Sequence, residues 1–154
     1  AGAKNFPHFK SFSVTVAGSA AAKAAAPAAS AGLPDLLFTW TEVGVGKPDV
    51  VYEARSQVTA TFGCVNNGSN HPRAGNKTTV RGPVAASATL TADENGKVTG
   101  SLVLDTASVA PPGSACPPGQ SAVAVSATFE QNTITDTTNG VSATADDITV
   151  ELGP

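Results

Sequence analysis

The sequence predicts an all-β chain, an antiparallel β-sandwich of seven or eight strands (immunoglobulin-like or related) with an extended N-terminal arm. Three observations carry that expectation. Residues alternate with a period of two in segment after segment, most clearly from Val50 to Phe62. Turn signals separate these segments, and Asn95-Gly96 and Asn139-Gly140 each tolerate the positive φ that tight hairpins demand. The vocabulary is that of strands, with 18 Thr, 17 Val, 13 Ser and 15 Gly, and no segment reads as an amphipathic helix.

The elements follow in chain order. Residues 1–17 form the arm, which holds three of the six Phe (Phe6, Phe9 and Phe12) and alternates over Phe12-Ser13-Val14-Thr15-Val16. Residues 18–32 read as an exposed linker: ten of the fifteen positions from Ala17 to Ala31 are Ala, Pro27 interrupts any helix, and no large side chain anchors it. The sandwich is expected over 33–154. Its first strand puts Leu36, Phe38 and Trp40 on one face. In the next, Val50, Tyr52, Ala54, Ser56, Val58, Ala60 and Phe62 face inward, and the same phase carries Cys64 to the inside. Residues 65–77 are a polar loop with two glycosylation sequons, Asn67-Gly68-Ser69 and Asn76-Lys77-Thr78. Strand character resumes near Thr79, with Val80, Val84, Ala86, Ala88 and Leu90 on one side. The Asp93–Gly96 hairpin leads to a return strand with Val98, Leu102 and Leu104, then to a Pro-rich loop, Ala110–Gly119, containing Cys116. Val123, Val125, Ala127 and Phe129 make another inward face, and Ile148, Val150 and Leu152 close the domain.

At 154 residues the chain has room for one well-formed core. Its 41% hydrophobic fraction includes 27 Ala, so the large apolar residues Leu, Ile, Val and Phe number only 32. A net charge of −3 gives no field to attract nucleic acid, and no apolar run reaches the roughly 20 residues of a spanning helix, so membrane insertion is not expected. Cys64 and Cys116 are the two cysteines. In a Thr/Gly-rich chain they point to one structural disulfide and an oxidising compartment, hence a secreted, extracellular protein. Ala1-Gly2-Ala3 suits a chain released at a small-residue cleavage site. Two free buried thiols are the alternative. A zinc site of Cys64, His71 and Cys116 lacks the short paired spacing of zinc motifs.

Raw material for catalysis is sparse. His71, in the polar loop, has no identifiable nucleophile or orienting acid, and there is no Gly-x-Ser-x-Gly elbow. His8 in the arm offers less still. Asp136, Asp146 and Asp147 do not form the alternating Asp/Asn loop of a calcium site. No metal, cofactor or catalytic residue is expected. Trp40, Tyr52, Phe38, Phe62 and Phe129 all fall on inward faces, which assigns them to the core rather than to stacking on sugars. Two places remain for binding. Phe6, Phe9, Phe12, Val14 and Val16 must be covered, either as one more strand of the home sandwich or by docking onto a partner protein with 18–32 as tether. Asn70, His71 and Arg73 are candidate contacts in the loop next to the disulfide.

Phe62-Gly63-Cys64, Asn70-His71-Pro72, Asn76-Lys77, Gly82-Pro83-Val84, Val98-Thr99-Gly100-Ser101-Leu102, Cys116-Pro117, Gly119-Gln120 and Asp136-Thr137-Thr138-Asn139-Gly140-Val141 carry a resemblance over about three quarters of the chain. From about Phe38 onward it resembles a class of uncharacterised small secreted actinobacterial β-domain proteins with a single disulfide. The resemblance implies secretion and the disulfide, and it brings no catalytic residues. In layout, a small β domain with an extended N-terminal segment, the chain is similar to adaptor subunits of secreted umbrella toxin particles. The expectation is a secreted, non-catalytic binding or structural protein, an adaptor that docks a partner protein through its arm or its disulfide-end loops. The alternatives are a carbohydrate- or cell-wall-binding module and a secreted protease inhibitor with Ala110–Gly119 as bait.

Overall fold

The computed structural model describes residues 6–16, 33–46, 48–66, 77–112 and 116–152. They form eight strands: β1 (His8–Val16), β2 (Leu36–Val43), β3 (Asp49–Asn66), β4 (Lys77–Thr91), β5 (Val98–Leu104), β6 (Gln120–Asp136), β7 (Val141–Ala145) and β8 (Ile148–Glu151). One sheet has the order β1-β2-β5; the other runs β4-β3-β6-β7, with β8 following β7 along the same side of β6. All pairings are antiparallel. The two sheets pack face to face around one core, so the expected β-sandwich is the fold, and the strand order is the immunoglobulin-like one with β4 added to the larger sheet.

β3 organises the core. Val50, Tyr52, Ala54, Ser56, Val58, Ala60, Phe62 and Cys64 are all buried, as its alternation requires. From the smaller sheet Leu36, Phe38, Trp40 and Leu104 close on it. Gly100, opposite Trp40 in the ladder, leaves room for the indole: a Cβ there would lie 2.5 Å from the Trp40 ring and 2.5 Å from Leu90 Cδ1.

β6 departs from the expected period. It carries an extra residue against β3 twice, once at Val125 between Ala124 and Ser126 and once between Glu130 and Thr133, where Gln131 takes φ 54°. Each bulge shifts the phase, so Ala124 is buried in place of Val123 and Val125, and Asn132, Ile134 and Asp136 turn inward beyond the second. Buried Asn132 secures that bulge: its Oδ1 accepts from Ser56 Oγ at 2.6 Å, and its Nδ2 donates to the carbonyls of Phe129 and Asp146.

The arm needs correction as a separate unit. Residues 8–16 are the edge strand β1, paired with β2 along its length, so the sandwich begins at His8 rather than at 33. A bulge at Lys10 puts both Phe9 and Phe12 on the inner face, although they are three residues apart. Phe12 lies 5.5 Å from Phe38 and Phe9 lies 6.3 Å from Tyr52, centroid to centroid. The physical reason is burial: β1 covers the open edge of β2 and removes its own apolar side chains from water.

Candidate functional site

Strand registers sort the connections between the two ends of the sandwich. At one end, residues 44–48 join β2 to β3, 92–97 join β4 to β5, and 137–140 join β6 to β7. These links are tight and sewn down by hydrogen bonds. Gly96 N–H donates to Asp93 O, and Val45 N–H to Gly96 O. Thr137 N–H donates to Val51 O, and Val51 N–H to Thr138 Oγ1. At the other end lie the three longest connections: 17–35 between β1 and β2, 67–76 between β3 and β4, and 105–119 between β5 and β6. Long connections on a rigid scaffold are where binding residues concentrate. In antibody variable domains the B–C and F–G links belong to the binding end, and their counterparts here, 44–48 and 137–140, lie at the opposite end.

The disulfide pins this loop-rich end. Cys64 and Cys116 are bonded, with Cα atoms 5.6 Å apart, as the sequence led us to expect. The bond ties the last turns of β3 to the end of the 105–119 connection. That connection is also anchored where it begins. Buried Thr106 donates its backbone N–H to Asp35 Oδ1 at 3.1 Å and its hydroxyl to Pro34 O at 2.9 Å. Val109 is buried among core residues, and its N–H donates to Thr106 O. Pro112, between the two anchors, and Pro117 and Pro118, just past Cys116, are exposed. Proline fixes φ at these positions, and the disulfide clamps the backbone at Cys116.

The candidate residues divide clearly. Phe9, Phe12, Val14 and Val16, expected as partner-docking residues, lie partly buried against the home core. Phe6 alone among the five is open, at 67% exposure. Asn70, His71 and Arg73 fall in the 67–76 connection, outside the described residues, as do the linker 18–32 and both sequon asparagines. The strands on either side of the linker are described: Val16 pairs with Leu36, so the Ala-rich stretch joins neighbouring strands of one hairpin and is not a tether to a distant arm. Asp136, weighed as a calcium ligand, is buried, and its two carboxylate oxygens accept from Asn139 N–H at 2.8 Å and Asn139 Nδ2 at 2.7 Å. Among the described residues no three His, Cys, Asp or Glu side chains form a metal-holding group.

Sequence reasoning missed a buried polar cluster at the tight-turn end. Glu42, Tyr52 and Asp136 are fully buried, and Tyr52 O–H donates to Glu42 Oε1 at 2.5 Å. The Trp40 ring lies 4.9 Å from that of Tyr52. Burial above all, and then the neighbouring Asp136 carboxyl, push the Glu42 carboxyl up to about 7. Burial and the Glu42 contact raise Tyr52 as well. An inward-pointing Glu next to Trp40 in β2 was the available signal, because Glu42 shares the phase of Leu36, Phe38 and Trp40.

A third feature is the outer face of the smaller sheet. Ser13, Thr39 and Ser101 form one cross-strand row, and Ser11, Thr41 and Thr99 the next. They line a shallow depression of about 410 Å³. It presents hydroxyls and no exposed aromatic ring, because Phe12 and Trp40 turn inward there. The chain matches no family model, no curated protein and no solved structure.

Proposed function

We propose that this is a secreted, non-catalytic binding protein, an adaptor that holds a partner protein through the loops at its disulfide end. The observation that carries the reading is the convergence of the three longest connections on one end, where the disulfide ties the end of β3 to one of them. A disulfide is compatible with an extracellular location, and no helix is long and apolar enough to cross a membrane. With Phe9, Phe12, Val14 and Val16 all packed at home, β1 serves the fold, and the loops are left to make the contact. The sugar-binding alternative loses support because Trp40, Tyr52, Phe38, Phe62 and Phe129 are all buried. The clamped, proline-rich 105–119 connection keeps a protease-inhibitor reading as the second choice.

The test is capture from the culture medium of the source organism by the immobilised protein. A triple variant, Asn70→Ala, His71→Ala and Arg73→Ala, is expected to keep its melting temperature and lose the partner that the wild type retains. A partner held equally by the triple variant and by a variant with 110–115 shortened would overturn the loop assignment. Inhibition of a secreted protease by the wild type, lost on shortening 110–115, would select the inhibitor reading instead.

A further inference from the structure

The Glu42–Asp136 pair is the only place among the described residues where two buried carboxyl groups meet across the sheets, one on β2 and one on β6. Among the described residues, the surrounding elements bring no cation to it. β1 sets Phe9 opposite Glu42, and β5 sets Val98 there. β3 contributes Tyr52, with Ala88 of β4 beside it, and β7 sets Val141 opposite Asp136. His8, Lys10 and Lys97, the nearest basic residues along these strands, are exposed. Hydrogen bonding around the pair is also incomplete. Tyr52 satisfies Glu42 Oε1, and Asn139 satisfies both oxygens of Asp136, but Glu42 Oε2 is buried with no hydrogen-bond partner, as is Trp40 Nε1. A proton on Glu42 Oε2 turns that orphaned acceptor into a donor next to a carboxylate. Without the proton, two negative charges share a buried, uncompensated site, which costs far more than a solvated pair.

We propose that the Glu42–Asp136 carboxyl pair is a pH-sensitive latch between the two sheets, closed while the pair holds a proton and loosened when that proton leaves. Loosening acts first on what the pair touches: the end of β2 with the 44–48 link, and the 137–140 turn that Asp136 holds through Asn139. It lies at the end opposite the disulfide loops, so it is independent of the binding role proposed above. The raised Glu42 carboxyl agrees with this geometry, since a group that prefers its neutral form when buried gives up its proton close to neutral pH.

The chain's single Trp reports on the latch directly, because Trp40 packs on Tyr52 within the cluster. Native-state fluorescence of the wild type, titrated from about pH 5 to 9, is expected to show one transition with a midpoint near 7. The melting temperature should fall from about pH 5 to 7 and level off above that. Infrared difference spectra should show a carboxylic-acid carbonyl band on the acid side that is lost on the alkaline side, a signature that neither His8 nor His71 can produce. Glu42→Gln, neutral at every pH, is expected to abolish all three changes and keep the acid-side melting temperature at pH 9. If that variant does not fold, Asp136→Asn decides, by moving the wild-type midpoint down. A wild type with no transition and no acid band overturns the proposal, and so does a transition that persists in Glu42→Gln or stays unmoved in Asp136→Asn.

Discussion

A methyl group added at Gly100 has no space to occupy. Its Cβ would lie 2.5 Å from Leu90 Cδ1, the end of a partly buried side chain, and 2.5 Å from the ring of Trp40, which is buried and has no room to retreat in a packed core. Gly100→Ala should therefore destabilise the fold by about 1–3 kcal/mol, seen as a lower urea midpoint followed by Trp40 fluorescence. Tyr52 tests a different force at the same spot. Tyr52→Phe keeps the ring against Trp40 but removes the hydroxyl that donates to Glu42 Oε1, leaving a buried carboxyl with neither oxygen satisfied. The expected loss is about 1–3 kcal/mol in chemical denaturation, a cost of desolvation more than of a lost bond. Phe6, exposed at 67%, makes a useful control: Phe6→Ala should leave stability unchanged within about 0.5 kcal/mol.

At the scale of elements, β1 and the disulfide each close a gap that the rest of the chain cannot. β1 supplies one of the two neighbours of β2 and brings Phe9 and Phe12 onto Tyr52 and Phe38. Deleting residues 1–16 should give a chain that aggregates or loses cooperative unfolding, which size-exclusion chromatography and thermal melting will register. A monodisperse, cooperatively melting truncation would show β1 to be dispensable. Cys64–Cys116 joins residues 52 positions apart. Replacing both by Ala should cost about 3–4 kcal/mol through the entropy returned to the unfolded chain. The exposed edges are blunted by local chemistry. β4, at the rim of the larger sheet, carries Pro83 in mid-strand, and β1 carries the Lys10 bulge, both of which resist pairing with another chain.

Across the whole molecule, the tight links and the long connections lie at opposite ends of the sandwich. Short links sewn by hydrogen bonds surround the buried carboxyl pair, while long connections gather at the disulfide. The sign of the pH dependence follows from the shifts. Glu42 is raised from 4.5 to about 7, so its contribution is complete below about 4.5 and is lost as pH climbs through 7. Asp93 is lowered, mainly by the Lys97 and then the Asn95 backbone N–H groups, so it acts in the opposite sense and loses its small effect only in stronger acid. Unfolding free energy measured in urea should therefore be highest on the mildly acid side and decline between about pH 5 and 7. A maximum at pH 8 would contradict the burial of an uncompensated Glu42.

Much of this architecture is legible in the residues themselves. The period-two pattern of β3 marks its buried face residue by residue, and Asn95-Gly96 and Asn139-Gly140 mark two turns, with Gly96 and Gly140 at φ of 77° and 74°. The two cysteines define the staple, and the inward phase of the large aromatics holds throughout. These features are local: alternation, turn chemistry and side-chain volume act within a few residues of themselves. What the tertiary structure decided depends on partners far along the chain. Whether Phe9, Phe12, Val14 and Val16 belong to this core or to another chain was settled by the pairing of β1 with β2, because either surface would remove them from water equally well. The bulges of β1 and β6 are invisible to a strict period of two, since only the opposing strand defines which residue is extra. The meeting of Glu42 with Asp136, 94 positions apart, exists only because two sheets close face to face over β3.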